Sequence, residues 1–154
     1  LYYFLKLNIA KILKKGVILT DCLFCKVQDA KYEKEIIYDN DYFFVTRDSY
    51  PVTNLHTLII PKRCFQSYFD MNENEIKSIN AVLNLQREEI LKLDNTVTAF
   101  NIGINDGKDA GQSIHHLHVH LIPRRKGDIE NPRGGVRGVI PSKQKYVKKQ
   151  ELEK

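Results

Sequence analysis

Cysteine is scarce in these 154 residues, and its count of three is odd. That excludes a small scaffold stapled by disulfides. Two of the three sit in Cys22-Leu-Phe-Cys25 and the third is Cys64. The pattern points to a metal or to thiols in a reducing compartment, so a cytoplasmic location is expected. Long apolar runs are also missing, and nothing approaches the roughly 20 residues that span a bilayer. The opening LYYFLKLNIAKILKKGVILTD carries its lysines among and after its apolar residues and has no small-residue cleavage site. It reads poorly as a secretory signal. Leu5, Ile9, Ile12 and Leu13 share a helical face that would suit a membrane surface, but an N-terminal extension over residues 1–20 is the preferred reading. There is no internal repeat and no low-complexity segment, which leaves one domain long enough to bury its own core.

Charge is uneven. Residues 123–154 carry a net +6 while the remainder of the chain sums to −1. This basic segment has no aromatic interleaving of the kind single-strand binders use, so stable nucleic-acid binding is not expected. It suits a phosphate-rich small ligand or a solvated end.

EIIYDNDYFFVTRD reads as two strands joined at a turn-prone Asp39-Asn40-Asp41, and TLIIP (57–61) as a short buried strand. One long helix follows, with Asn72 and Glu75 spaced as an N-cap pair. Ile76, Ile79, Leu83, Ile90 and Leu91 are expected on its inner face. A strand over 96–105, a glycine-rich loop and a last strand HLHVHLIP closed by Pro123 complete the set. The order β-β-β-α-β-β predicts an α+β domain with a mainly antiparallel, five-stranded sheet. NPRGGVRGVIPSKQKY, with its glycines and prolines, reads as a surface loop running past the site.

Four of the five histidines fall within GQSIHHLHVHLIPRR. On a strand, His116, His118 and His120 would project from one face while Leu117, Val119 and Leu121 fill the core behind. A solvated polar face, a transition-metal site and nucleophilic catalysis at phosphorus all fit that row. Its surroundings favour the last. A metal hydrolase wants a carboxylate beside its histidines, yet the nearest acids are Asp109 and Asp128. What precedes the row is Gly103, Gly107 and Gly111 with Asn101, Asn105, Gln112 and Ser113, all neutral donors suited to an anion. Arg124 and Arg125 follow and are expected to add to the phosphate environment.

HHLHVHLIPRRKGD resembles the signature of the histidine triad (HIT) superfamily of nucleotide hydrolases and transferases. CLFCKV, DSYPVTNLHTLIIPKR and INDGKDAGQS resemble further segments of that family in the same order, so the likeness covers about residues 21–128. The resemblance implies a HIT-like fold with a short second helix and a homodimer. Residues 129–154 are left as a basic C-terminal segment. It implies that His118 is the nucleophile, forming a nucleotidyl-histidine that water hydrolyses, and that His120 bonds the phosphate oxygens. Gln112 and Ser113 match positions that contact the scissile phosphate and leaving group, and Asn105 a phosphate-facing amide. Asp48, eight residues before the pocket histidine His56, matches a ribose-hydroxyl acceptor. The chemistry itself is expected to need no cofactor. A structural zinc is implied on Cys22, Cys25, Cys64 and His116, with Cys64 standing where cysteine-bearing relatives usually have histidine. Leu55 stands where the family usually has glycine, and because leucine takes φ > 0 only at a cost, this departure bears on the loop geometry or pocket shape at His56. The implied substrate is a dinucleoside polyphosphate. An adenosine phosphoramidate, nucleotidyl transfer, or nucleotide binding with little turnover are the alternatives.

Overall fold

Asn40 makes the first turn of the computed structural model, which describes residues 22–27 and 35–145. Its side-chain oxygen accepts from the backbone N–H groups of Tyr42 and Phe43, each at 2.9 Å. An Asx turn of this kind lets two strands reverse tightly. It ties β1 (Tyr38–Asp39) to β2 (Phe43–Arg47). β3 is Thr57–Pro61, β4 is Val97–Gly103 and β5 is Val119–Arg125. They form one five-stranded sheet in the order β1-β2-β3-β5-β4, every neighbour antiparallel. With one long helix and two short ones this is the expected α+β architecture.

The chain divides into two units, Leu1–Lys34 and Glu35–Lys154. In the first, Cys22 precedes the short helix α1 (Leu23–Val27), of which Phe24, Cys25 and Val27 are buried. The expected extension over residues 1–20 lies outside the described residues, as do residues 146–154 of the basic segment.

In the second unit, the long helix α2 (Glu73–Leu93) lies between β3 and β4 in sequence. Its start is a complete capping box: Asn72 accepts from the Glu75 backbone N–H at 3.0 Å, and the Glu75 carboxylate accepts from the Asn72 N–H at 2.8 Å. Phe43, Val45, Ile59, Leu117 and Val119 pack with Ile79 and Val82 of α2 in one cluster, and Leu121 with Ile90 and Val97 in another. The helical face differs from the expected one. Glu75, Ile79, Val82, Gln86 and Ile90 are buried, while Ile76 is exposed. Two polar residues therefore sit on the inner seam, which an apolar-only reading of the period passes over. Glu75 is tolerated there because Arg63 gives it two hydrogen bonds, at 2.9 and 2.8 Å.

Two strand boundaries also differ. β5 starts only at Val119, because the backbone before it is held elsewhere: the His116 N–H turns back to the Ile114 carbonyl and the Leu117 N–H goes to Phe65. Pro123 does not close β5 but sits within it, opposite Phe100. Pairing with β3 stops at Leu121, so beyond that point β5 has a single neighbour and a proline is tolerated. The segment read as a loop contains a 3₁₀ turn over Gly135–Val139 and a short helix α3 (Pro141–Gln144). Proline at the first helical position explains how α3 forms there. No helix among the described residues is long and apolar enough to cross a membrane.

Replacing Asn72 with alanine removes one half of the capping box and should cost about 1 kcal/mol. Denaturant unfolding should show a lower midpoint with an unchanged slope. A midpoint equal to that of the parent would mean that packing of α2 makes the cap redundant.

Candidate functional site

Because Leu117, Val119 and Leu121 all belong to the helix-side core, the alternating His118 and His120 are turned to the opposite face. His120 pairs with Leu58 of β3 and Gly103 of β4. His116 is fully buried at the foot of the row, and its Nε2 lies 2.8 Å from the Pro61 carbonyl. A carbonyl only accepts, so that nitrogen carries the proton and Nδ1 keeps the lone pair. His118 follows the same logic with the nitrogens reversed. Its Nδ1 lies 2.8 Å from the His116 carbonyl and must donate, which leaves the lone pair on Nε2. Its ring meets that of His120 edge-on, with centroids 5.0 Å apart.

His120 is held from behind by His56. His56 Nε2 and His120 Nδ1 are 3.0 Å apart. The two residues are distant in sequence but meet because β3 and β5 are neighbours with Leu58 opposite His120. His120 Nε2 is buried with no hydrogen-bond partner among the described residues. A buried polar nitrogen left in this way is poised for a ligand atom. His56 Nδ1 in turn lies 3.2 Å from the Val52 nitrogen and 3.3 Å from Asp48 Oδ2. Asp48, His56 and His120 are also grouped closely enough to suggest a metal. The hydrogen-bond contact between the two imidazoles already occupies the nitrogens that face each other, and this favours the relay over an ion.

Leu55 takes φ = 66°, a left-handed conformation that costs a non-glycine residue roughly 1–2 kcal/mol. The loop thus has at Leu55 a backbone that glycine would adopt freely. Burial offsets the strain: the Leu55 side chain packs with the cluster of Ile90, Val97 and Leu121.

Other expected site residues are placed differently from one another. Ser113 is exposed and Asn105 half-buried on the loop leading to the row. Gln112 is buried, and its side chain fastens that loop: Oε1 accepts from the Gly107 N–H at 2.9 Å and the Gln66 amide at 3.2 Å, while its own amide donates to the Gln66 carbonyl at 3.0 Å. Asp106, which sequence reasoning passed over, ties the same loop to Ser67 Oγ and the Tyr68 N–H. Arg124 and Arg125 do not join a phosphate environment. Arg124 grips Asp128 and Asn101, and Arg125 grips Asp94. Each acid neutralises a charge that sequence proximity had assigned to the site. The segment after them contributes Val136 and Val139 to a cavity of about 220 Å³ that Val52, Gly103, Ile122 and Arg124 also line.

The cysteines fall into two pairs of donors. In the first unit Cys22 and Cys25 offer sulfurs within 4.8 Å of each other, one helical turn apart. In the second, Cys64 Sγ lies within 4.8 Å of a ring nitrogen of His116.

Burial holds all three inner imidazoles toward the neutral form. His120 is lowered to about 4, first by desolvation and then by the His118 and His56 rings, with Asp48 opposing. Desolvation likewise lowers His56, against Asp48, and His116, against its bond to the Pro61 carbonyl. Between about 4 and the ordinary value of 6.5, an unfolded chain binds a proton at residue 120 that the folded chain does not. Stability is therefore highest above 6.5 and falls as pH drops toward 4. His120→Asn should flatten this acid limb, measured as the urea midpoint at several pH values across that window. An acid limb as steep as the parent's would show that other groups carry it.

The HIT domain family matches residues 29–127. An uncharacterised HIT-like protein of Methanocaldococcus jannaschii is 30% identical over 109 residues, 71% of this chain and 83% of that one. The crystal structure of a zinc-bound histidine triad family protein from Mycobacterium smegmatis superposes with a TM-score of 0.65 at 32% identity, covering 70% of this chain and 78% of the other. A diadenosine triphosphate hydrolase from Plasmodium falciparum gives a TM-score of 0.59 at 33% identity over 65% of this chain and 67% of its own. From strand order to triad, this chain belongs to the HIT domain family of histidine triad proteins.

Proposed function

We propose that this protein is a nucleotide hydrolase that cleaves at an α-phosphate, with a dinucleoside polyphosphate as substrate. The observation that carries the reading is the tautomer of His118, whose Nδ1–H is committed to the His116 carbonyl while Nε2 keeps its lone pair. A neutral imidazole can attack an anionic phosphate without first losing a proton. His118 Nε2 forms a bond to the α-phosphorus, the bridging P–O bond breaks, and the leaving phosphate departs with that electron pair. Water then attacks the same phosphorus, the N–P bond breaks, and His118 recovers its lone pair. His120, neutral and with a buried nitrogen lacking a partner, is placed to bond the phosphate oxygens. Asp48 accepts from the ribose hydroxyls, and Asn105 and Ser113 bind the phosphates. Gln112 shapes the loop that presents them. The choice of a dinucleoside polyphosphate is supported by the likeness to the diadenosine triphosphate hydrolase.

A structural zinc on Cys22, Cys25, Cys64 and His116 belongs to the same proposal. Three thiols and an imidazole are a complete tetrahedral set, and the proton on His116 Nε2 puts the lone pair on Nδ1, the tautomer a metal needs. The zinc-bound relative supports it. Such an ion would hold the fold and take no part in either bond change. We also propose a homodimer in which the sheet continues from one copy to the next, with β4 at one sheet edge available for that pairing.

His118→Ala should lower turnover of a diadenosine polyphosphate by about a thousandfold or more while nucleotide binding persists. A kcat within about tenfold of the parent would sink the nucleophile assignment. Chelator in the assay should leave the rate unchanged. Elemental analysis of protein purified without a metal-affinity step should find near one equivalent of zinc per chain. Well-folded protein without detectable metal would refute the Cys₃His site.

A further inference from the structure

His56 Nδ1 has two suitors. The Val52 N–H at 3.2 Å can only donate to it, whereas the Asp48 carboxylate at 3.3 Å can only accept from it. One nitrogen of a neutral ring satisfies one of them at a time. The choice does not end at that atom, because the other nitrogen of His56 faces His120 Nδ1 at 3.0 Å.

If Nδ1 accepts from Val52, the His56 proton sits on Nε2 and is donated to His120 Nδ1. His120 then carries its proton on Nε2 and offers a donor to the site. If Nδ1 donates to Asp48, His56 Nε2 has the lone pair and accepts from His120 Nδ1–H. His120 Nε2 then offers a lone pair instead. Changing from the first state to the second takes one proton in at His56 Nδ1, one across the imidazole pair and one out at His120 Nε2. The total number of protons is unchanged, and both rings stay neutral throughout. His120 Nε2 is the buried nitrogen with no partner among the described residues, so its state is set from behind and not by a fixed neighbour in front.

We infer that Asp48 decides, through His56, whether His120 presents a donor or an acceptor to the phosphate. This rests on the nucleotide reading of the site. The donor state suits the first step, and the acceptor state belongs to the sugar-free site. A donor stabilises the oxygens of the phosphate under attack. Ribose hydroxyls donating to Asp48 weaken the carboxylate's hold on His56 Nδ1 and leave it to Val52. Sugar binding therefore selects the donor state of His120, some distance from the sugar itself. Asp48 and His56 act here as positioning residues.

The experiment is nitrogen NMR of protein labelled with ¹⁵N-histidine, reading the Nδ1 and Nε2 shifts of His56 and His120. Asp48→Asn is the informative variant. Its carbonyl can keep the bond from the Tyr50 N–H that Asp48 Oδ1 accepts at 2.9 Å, which turns its amide toward His56 as a donor. In the ligand-free protein this variant should move His120 Nε2 to the protonated position. Adenosine monophosphate should move the parent the same way, and the 2′,3′-dideoxy nucleotide should not. In a His56→Phe background, Asp48→Asn should no longer affect His120. An His120 shift that ignores Asp48→Asn in the ligand-free protein overturns the relay. If the variant moves His120 but adenosine monophosphate does not bind, the relay stands and the nucleotide reading fails.

Discussion

The hydrogen bond from His118 Nδ1 to the carbonyl of His116, 2.8 Å long, is the constraint on which the site depends. It joins two residues two apart in sequence, so it holds only if the backbone between them keeps one shape. The fold supplies that shape at Leu117, whose side chain is fully buried in the core and whose N–H is taken by Phe65. His116 is anchored independently through its ring to Pro61 at the end of β3. The carbonyl that orients the proposed nucleophile is thus fixed on both sides, by the end of β3 and by Phe65 in the segment that follows it. This also explains why the first two histidines stand outside the regular ladder. Backbone groups needed to position the rings are unavailable for sheet pairing.

Burial then does the electrostatic work. Imidazoles in water near neutrality are partly charged, and a charged His118 would have no lone pair to attack with. Desolvation penalises a proton on His116 and on His120, and at His120 the His118 and His56 rings add to it. Asp48 pulls the other way on His56 and His120, yet desolvation outweighs it at both. The result at His56, His116 and His120 is a set of rings held toward neutrality, whose behaviour is set by which nitrogen holds each proton.

Much of this was legible beforehand because it rests on local rules. Asn72 and Glu75 announce a capping box by spacing alone, and TLIIP matches β3 residue for residue. The alternation of histidine with Leu117, Val119 and Leu121 yields the right partition between core and site. What escaped depends on partners far away in sequence. Gln112 looks like a phosphate ligand until Gln66 and Gly107 are seen to take its side chain. The face of α2 cannot be placed without Arg63, which makes a buried Glu75 tolerable. His56 and His120 are joined only by strand order. Leu55 shows the opposite case, in which a residue that seemed to forbid a conformation adopts it because its side chain gains a place in the core.

The arginines make the same point about charge. Arg124 and Arg125 directly follow the histidine strand, and adjacency suggested that they would face the phosphates. Each is instead neutralised by an acid: Asp128 four residues on for Arg124, and Asp94 at the end of α2 for Arg125. Asp94 is held well below the usual carboxylate range, at about 2, by Thr96 first and then by Arg125. Bidentate and closed pairs like Arg124 with Asp128 hold the end of β5 to the loop that follows. A cation aimed at the row would raise affinity for any phosphate, product included, and would disfavour a proton on the nearby rings without choosing a tautomer. Neutral donors discriminate by direction as well as by charge. A site built from imidazoles and backbone N–H groups can therefore hold an anion while leaving one lone pair aimed at phosphorus.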